Sequence, residues 1–382
     1  MAKGIVVVGA GFSGAVIARQ LADAGLTMTV IESRDHVGGN CHTSRDAQTG
    51  ILLHHHGPHI FHTGDRDVWN YVNRFAAFHP YRHAVRTTVA ENVYSLPINL
   101  QTINQFFGTA MRSDEARAFI AAQCVDIPNP ANFEEAALAS IGPALYEAFF
   151  RGYTVKQWGC PPTEIPAAVF RRLPLRFNYD DSYFDHPYIG MPTDGYTALI
   201  ESILDHPLIT VQLGQPMTQA DLATYDHTFW TGPLDGFFDH QFGRLGYRSL
   251  RFDEFRERGD WLGCAVMNFG DETVPYTRIT EQKHLAPWEN HDASVLYAET
   301  AIDCGPNDVP YYPTRRLDQR ELLARYVEAA EATSNTTFVG RLGTYRYIDM
   351  DVTIREALDT AAAYLSATAN RTCPPVFSVR PL

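Results

Sequence analysis

The chain reads as an α/β protein, and three observations predict that class. A continuous β-branched run, Ile5 to Val8, empties into Gly9-Ala10-Gly11-Phe12-Ser13-Gly14, a G-x-G-x-x-G turn. A helically patterned stretch follows, then a second β-rich run, Thr27 to Ile31, that ends on the acid Glu32. Strand-like runs return at Thr228 to Trp230 and at Thr337 to Val339, after a long middle portion patterned as helix. Strand, glycine turn, helix, strand and acid make a dinucleotide-binding βαβ unit. The predicted architecture is therefore a Rossmann-like domain with a helical insertion and a sheet-containing substrate region.

Each element follows from its residues. Four consecutive β-branched residues suit a strand buried on both faces. Ala15 to Ala24 carries Val16, Ile17, Leu21 and Ala24 at helical spacing and stops at Gly25. Gly9, Gly11 and Gly14, with Phe12 and Ser13 in the same turn, let the backbone approach a pyrophosphate at the helix N-terminus, where open N–H groups and the dipole favour anions. Glu32 stands where an acceptor for a ribose hydroxyl belongs. Downstream, Arg34-Asp35-His36-Val37-Gly38-Gly39-Asn40 adds a second glycine pair that a nicotinamide site does not require. This resembles the doublet of FAD-binding proteins, so FAD is favoured over NAD and Arg34, Gly38, Gly39 and Asn40 join the cofactor set. Thr231-Gly232-Pro233 closes the next strand as in folds that return to the flavin nucleotide. Near the C-terminus, Thr337 to Gly340 precede Arg341 to Asp351 and a helix with Ile354, Leu358, Ala361, Ala362 and Leu365 on one face. Thr353-x-x-Glu356 is its expected capping box. The start of that helix, around Asp349 and Met350, is expected to set positive backbone dipole against a reduced flavin.

With 382 residues at about 150 per domain, more than one small module is expected. Residues 1–80, 210–240 and 330–382 form the expected discontinuous FAD-binding domain. Residues 100–170 form the helical insertion, since Asp114 to Cys124 and Phe133 to Trp158 are rich in Ala, Leu, Phe and Glu. Residues 80–100, 171–209 and 241–329 form the substrate-binding sheet region, with Pro161 to Pro174 read as a loop. A net charge of −13 without a basic run excludes a phosphate-tracking nucleic-acid surface. Six scattered cysteines without a C-x-x-C pair point to free thiols and a cytoplasmic setting. Neither a signal-like N-terminus nor an 18-residue apolar run is present, so no membrane span is expected. His54, His55, His56, His59 and His62 crowd nine positions, yet no metal site is predicted, because H-E-x-x-H spacing is missing and Pro58 breaks any shared helical face. With neither a G-x-S-x-G elbow nor a Cys-nucleophile signature, the cofactor is expected to carry the reaction.

Arg172, Arg176, Tyr183, Arg278, Tyr311, Tyr312, Tyr345 and Tyr347 stand outside the cofactor motif, and composition alone makes them ion pairs and core-edge phenols. Longer segments say more. Gly57-Pro58-His59-Ile60-Phe61-His62-Thr63, Leu96-Pro97-Ile98-Asn99, Phe150-Arg151-Gly152-Tyr153-Thr154-Val155-Lys156-Gln157-Trp158-Gly159, Val274-Pro275-Tyr276-Thr277-Arg278 and Gly340-Arg341-Leu342-Gly343-Thr344-Tyr345-Arg346-Tyr347 resemble bacterial members of the UDP-galactopyranose mutase family. The resemblance runs nearly end to end, with His56 departing from the family's Tyr.

The resemblance implies an FAD-dependent isomerase that interconverts UDP-galactopyranose and UDP-galactofuranose for galactofuranose-containing cell-surface glycans, as a homodimer. In that family the N5 of reduced FAD attacks the anomeric carbon as UDP leaves, with no net redox change. It implies Arg176 and Arg278 as guanidiniums on the diphosphate and Tyr183, Tyr312 and Tyr347 as phosphate-binding phenols. Phe149, Phe150, Tyr153 and Thr154 match the uridine segment, Trp158 the tryptophan beside the sugar, and Asn268 a further substrate contact. His59 and His62 match histidines on the flavin side, and Arg176, Arg278 and His62 form the implied catalytic set. Arg172 and Arg176 flank a loop that in the family closes over substrate. Three readings compete with this one: an amine-oxidase-like FAD oxidoreductase, a non-catalytic nucleotide-sugar binder, and a mutase for a UDP-N-acetyl or dTDP-deoxy sugar.

Overall fold

A computed structural model describes residues 4–170, 175–377 and 379–382. Ile5–Val8 is paired on both edges, by Met28–Ile31 and by His227–Trp230. Ile209–Gln212 and Thr336–Phe338 extend these to a five-stranded, wholly parallel sheet with Ile5–Val8 at its centre. Val6 and Val7 are fully buried, as a β-branched run enclosed on both faces requires. The Phe12–Asp23 helix lies against Met350–Asn370 and Gly195–Leu204, and Val16, Ile17 and Leu21 share one core with Leu199, Ile203, Ile354 and Ala361. This helix begins at Phe12 with Gly11 as N-cap, three residues ahead of the expected Ala15, because the glycine turn itself forms its first turn.

A second, seven-stranded sheet runs in the order Tyr312–Pro313, Tyr247–Arg258, Ala293–Asp303, Arg278–Glu281, Val266–Phe269, Val85–Val89, Asn92–Leu96. All neighbours are antiparallel except Val266–Phe269 with Val85–Val89. Its register sets Asn268 opposite Arg278 and Arg278 opposite Glu299, so three polar side chains from three strands form one row. A small sheet of Phe61–Thr63, Tyr188–Pro192 and Phe78–Pro80 brings His62 beside Ile189.

The helical insertion comprises Leu100–Phe107, Ser113–Ala121, Phe133–Leu145, a π-helical Tyr146–Arg151 and Gly152–Trp158. It has its own core, in which Ile103, Ile120, Ala137, Leu145, Phe149 and Phe170 are buried. The Phe133–Leu145 helix breaks at Gly142, whose φ of 75° precedes Pro143 and where a Cβ would lie 2.7 Å from the Gln123 carbonyl oxygen.

Two local expectations are corrected. The Pro161 to Pro174 stretch is not all loop: Pro162–Glu164 is a 3₁₀ turn and Ala167–Phe170 a short helix, since proline at the start of a helix forfeits no intrahelical bond. The C-terminal helix is not capped by Thr353-x-x-Glu356, because it begins at Met350 with Asp349 as N-cap. Thr353 falls inside the first turn and donates its hydroxyl to the Asp349 carbonyl, while Glu356 pairs with Arg346 at 2.8 Å. Among the described residues no helix is long and apolar enough to cross a membrane.

Candidate active site

One cavity of about 1080 Å³ runs from the glycine turn of the parallel sheet to the helical insertion and the row on the seven-stranded sheet. That is at or above the top of the range of about 300–1,000 Å³ usual for a single small ligand, and it suits two ligands end to end.

Backbone makes the first end. Gly9 has a φ of 106°, and a Cβ there would overlap the Thr231 hydroxyl. Gly11 and Gly39 approach so closely that a Cβ on Gly39 would lie 3.4 Å from the Gly11 Cα. Gly38, with a φ of 103°, opens the turn that brings the doublet there. The Phe12–Asp23 helix has no side-chain cap, so its leading N–H groups remain open toward the cavity. Glu32 is buried and holds the turn in place, accepting from Ala10 N at 2.8 Å and Arg34 N at 3.0 Å. Arg34 gives one arm to Asn40 at 2.8 Å, and its other terminal nitrogen is buried without a partner among the described residues. The Met350–Asn370 helix also starts at the cavity, with no side-chain cap at Asp349. A glycine cradle, the uncapped start of the Phe12–Asp23 helix and an unpartnered guanidinium nitrogen fit a dinucleotide.

Side chains make the other end. Arg278 reaches Glu299 with two nitrogens, at 2.8 and 2.7 Å. Burial disfavours its charge, but its surroundings together, led by the Glu299 carboxylate, raise its pKa and the guanidinium stays charged. The Tyr153 and Tyr312 phenols are pushed well up by burial, so both remain O–H donors. Trp158 meets Tyr347 edge to face at 6.4 Å, Tyr347 meets Tyr312 at 5.2 Å, and the Arg341 guanidinium lies 5.7 Å from the Tyr312 ring centre. His62 stacks on Phe184 at 3.7 Å, and its Nδ1 lies 2.7 Å from His186 Nδ1. His59 is pulled down to about 3 by burial and by Arg341. Being neutral, it donates Nδ1–H to the Gly57 carbonyl at 2.9 Å and leaves Nε2 as an acceptor. The Cys41 thiol, pushed up to about 12 by burial, offers no thiolate nucleophile.

The cavity lining includes the predicted Gly9, Gly11, Phe12, Ser13, Glu32 and Arg34, together with Gly38, Gly39, Asn40 and His59. Thr231, Gly232, Arg341, Asp349 and Met350 reach the same end. His62, Phe149, Phe150, Tyr153, Thr154 and Trp158 line the other, with Tyr183, Asn268, Arg278, Tyr312 and Tyr347. Gly14 is not in the lining: a Cβ there would collide with the Gly9 carbonyl oxygen and lie 2.9 Å from Val7, so this glycine serves helix–strand packing.

Arg176 is placed apart from the other expected site residues. It does not line the cavity; its buried guanidinium is held by Asp180 at 2.9 Å, by Asp185 and by the Ser182 carbonyl, which leaves it turned into the 176–185 loop. Arg172 lies outside the described residues. Sequence reasoning missed Glu299 and His83, which is buried, lines the cavity and is pulled down to about 3. Glu299 had a readable signal, a lone acid at the end of the apolar run Val295 to Ala298. The crowded histidines do not form a metal group among the described residues, whereas Asp260, Glu281 and His284 do converge, away from the cavity.

A family model for UDP-galactopyranose mutase matches residues 148–347, and one for an NAD(P)-binding Rossmann-like domain matches residues 7–75. A probable UDP-galactopyranose mutase of Klebsiella pneumoniae is 55% identical over 99% of this chain and 98% of its own length. A dTDP-fucopyranose mutase of Escherichia coli is 48% identical over 94% of this chain and 98% of its own length. A solved reduced UDP-galactopyranose mutase, 17% identical, shares the fold with a TM-score of 0.75 over 95% of each chain. With its parallel sheet, its continuous cavity and these end-to-end likenesses, the chain belongs to the UDP-galactopyranose mutase family of enzymes.

Proposed function

We propose that the enzyme interconverts UDP-galactopyranose and UDP-galactofuranose with FAD as its resident cofactor. The observation that carries this reading is that Asn268 and Arg278, the latter held by Glu299 on the next strand, line the same cavity as the glycine cradle. It puts a fixed positive charge within one enclosed space of a dinucleotide site, where a sugar diphosphate can meet a cofactor ring. Gly9, Gly11, Gly39 and Arg34 would hold the FAD pyrophosphate and ribose, and the start of the Met350–Asn370 helix would face the ring. When bound and reduced, FAD supplies a nucleophilic nitrogen for the anomeric carbon and returns unchanged in redox state.

The chain's own groups then have defined tasks. Departure of UDP builds charge on the diphosphate, and Arg278, held in place by Glu299, stabilises it most where that charge is greatest. Tyr312 and Tyr153 stay protonated and donate to anionic oxygens. Phe150 and Tyr153 offer aromatic faces to the uracil ring. Trp158 and Tyr347 wall the sugar from water. His59, kept neutral by burial and by Arg341, can accept a hydroxyl hydrogen bond at Nε2 without adding charge beside Arg278. The six cysteines, all free, support a cytoplasmic setting, and the enzyme is read as a homodimer.

A second reading has one specific support, the 48% identity with the dTDP-fucopyranose mutase of Escherichia coli. An anaerobic assay of reduced holoenzyme against UDP-galactofuranose, UDP-galactopyranose and dTDP-fucopyranose decides between them. Turnover is expected with the UDP-galactose pair, only after reduction and without consumption of reductant. Preferred turnover of the dTDP sugar would replace the substrate, and equal activity with oxidised FAD would overturn the mechanism.

A further inference from the structure

Lys156 lies on the Gly152–Trp158 helix, whose Tyr153, Thr154, Gln157 and Trp158 line the cavity. Its own side chain reaches elsewhere. The ammonium lies 2.5 Å from the Phe269 carbonyl oxygen, 2.8 Å from that of Asp271, 3.2 Å from that of Val274 and 3.0 Å from that of Tyr276. Four carbonyls of one turn thus converge on a group with only three N–H donors. Oxygens aimed at a common point repel one another unless a cation sits there, so the turn keeps this shape only with the ammonium in place. The turn joins the Val266–Phe269 and Arg278–Glu281 strands, and it spaces Asn268 from Arg278.

Helix and turn also meet at Gly152, where a Cβ would collide with the Gly270 carbonyl oxygen, and at the Arg151–Glu272 pair of 3.1 Å. Arg248 holds the same helix from the other side, donating to the Lys156 and Gln157 carbonyls at 3.3 and 3.0 Å. Of these ties, the ammonium makes the most bonds between the aromatic wall and the strand pair that presents the guanidinium.

We propose that Lys156 is a positioning residue for nucleotide-sugar binding, fixing the spacing between the Tyr153–Trp158 wall and the Asn268–Arg278 strand pair. The proposal rests on the UDP-sugar reading above. Partial burial pulls the Lys156 pKa down to about 8, against the opposing carboxylates of Asp271 and Glu272. Arg151, the nearest other cation on the same stretch, pairs with Glu272 and Glu147. Loss of the proton leaves two N–H groups and a lone pair facing oxygens, and the turn relaxes.

The test uses holoenzyme. In Lys156→Met the UDP dissociation constant and the KM for UDP-galactopyranose are expected to rise together by about tenfold, with kcat within about threefold and FAD content unchanged. Added propylammonium is expected to restore UDP affinity to Lys156→Ala, a rescue that a loss of general stability would not show. In the wild type, UDP affinity is expected to fall through about pH 8 along a one-proton limb while FAD stays bound. If the variants do not fold, this wild-type limb decides. UDP affinity within twofold of wild type in Lys156→Met, or a flat wild-type profile between about pH 7 and 9, would overturn the proposal. A wild-type holoenzyme that binds no UDP at any pH instead overturns the UDP-sugar reading and the proposal with it.

Discussion

At one end the cavity is lined by backbone, with Gly9, Gly11, Gly38 and Gly39 packed so that a ligand meets amides and helix starts. At the other it is lined by side chains, Arg278, Tyr312, Tyr347 and Trp158, drawn from segments far apart in the chain. The backbone end needs shape: its residues matter for what they lack, and at Gly9 a single added carbon already overlaps Thr231. The side-chain end needs chemistry, since each group there has a charge, a proton or an aromatic face that another residue must hold in place. Glu299 holds Arg278, and Gly57 holds His59. Substitutions should therefore fail in opposite ways, by additions at the first end and by deletions at the second.

The sharpest contrast is an addition. Gly9→Val puts a branched side chain where even a Cβ overlaps Thr231, at a φ of 106°. Purified protein is expected to carry no FAD by absorbance, and a yellow, fully loaded variant would erase the distinction between the ends. Next is a deletion, Arg278→Ala, expected to lower turnover by about 10²–10³-fold at normal FAD content. Arg278→Lys should recover little of it, because lysine lacks the planar fork that meets Glu299 and a phosphate together. Arg176→Ala tests the assignment of that residue away from the site. It should destabilise the protein by about 2 kcal/mol in denaturant unfolding, from lost charged hydrogen bonds, while turnover drops at least tenfold less than in Arg278→Ala. An equal loss of turnover at unchanged stability would return Arg176 to the reaction.

Acid sensitivity comes from buried histidines and is not confined to either end. His54, His56 and His59 are each pulled down to about 3 by burial. In the unfolded chain these imidazoles take up protons below about pH 6.5, whereas the folded protein does not until about pH 3. Their contribution is complete above pH 6.5 and is lost as pH falls toward 3. His54→Leu, at a site where neither ring nitrogen has a partner among the described residues, should flatten the fall of the melting temperature on acidification. The smallest effect is expected for Tyr312→Phe, which removes one phenol donor and should raise KM for UDP-galactopyranose by about two- to tenfold without changing FAD content.

Legibility follows the same division. The Ile5–Val8 strand, the glycine turn and Glu32 could be read because neighbours in sequence there build neighbouring structure, and the doublet has the positive φ that glycine permits, 103° at Gly38 and 55° at Gly39. The start of the C-terminal helix was read at the right residues but with the wrong cap, since Thr353 bonds a carbonyl and not an amide. The row of Asn268, Arg278 and Glu299 was out of reach of any local pattern, being set by the register of three strands. Family resemblance marked two of the three. Arg176 and Arg278 look alike as isolated residues. What separates them is the company each keeps, and the run of Asp180, Asp181 and Asp185 close behind Arg176 was the available sign that its charge is met locally.

The central place of Ile5–Val8 has a consequence in time. One edge of the strand meets Met28–Ile31 early in synthesis, but the other waits for His227–Trp230, and Thr336–Phe338 completes the sheet later still. At about 5–20 residues per second, the first wait is on the order of 10–40 s on the ribosome. For that interval a β-branched run has an open edge of the kind that pairs with other chains. The cradle is also unfinished until the Met350–Asn370 helix emerges, so a dinucleotide cannot rescue the nascent chain by binding early. Yield of active enzyme should then depend on how well that edge is shielded during translation, and slower growth or added chaperone capacity should raise it more than an excess of flavin.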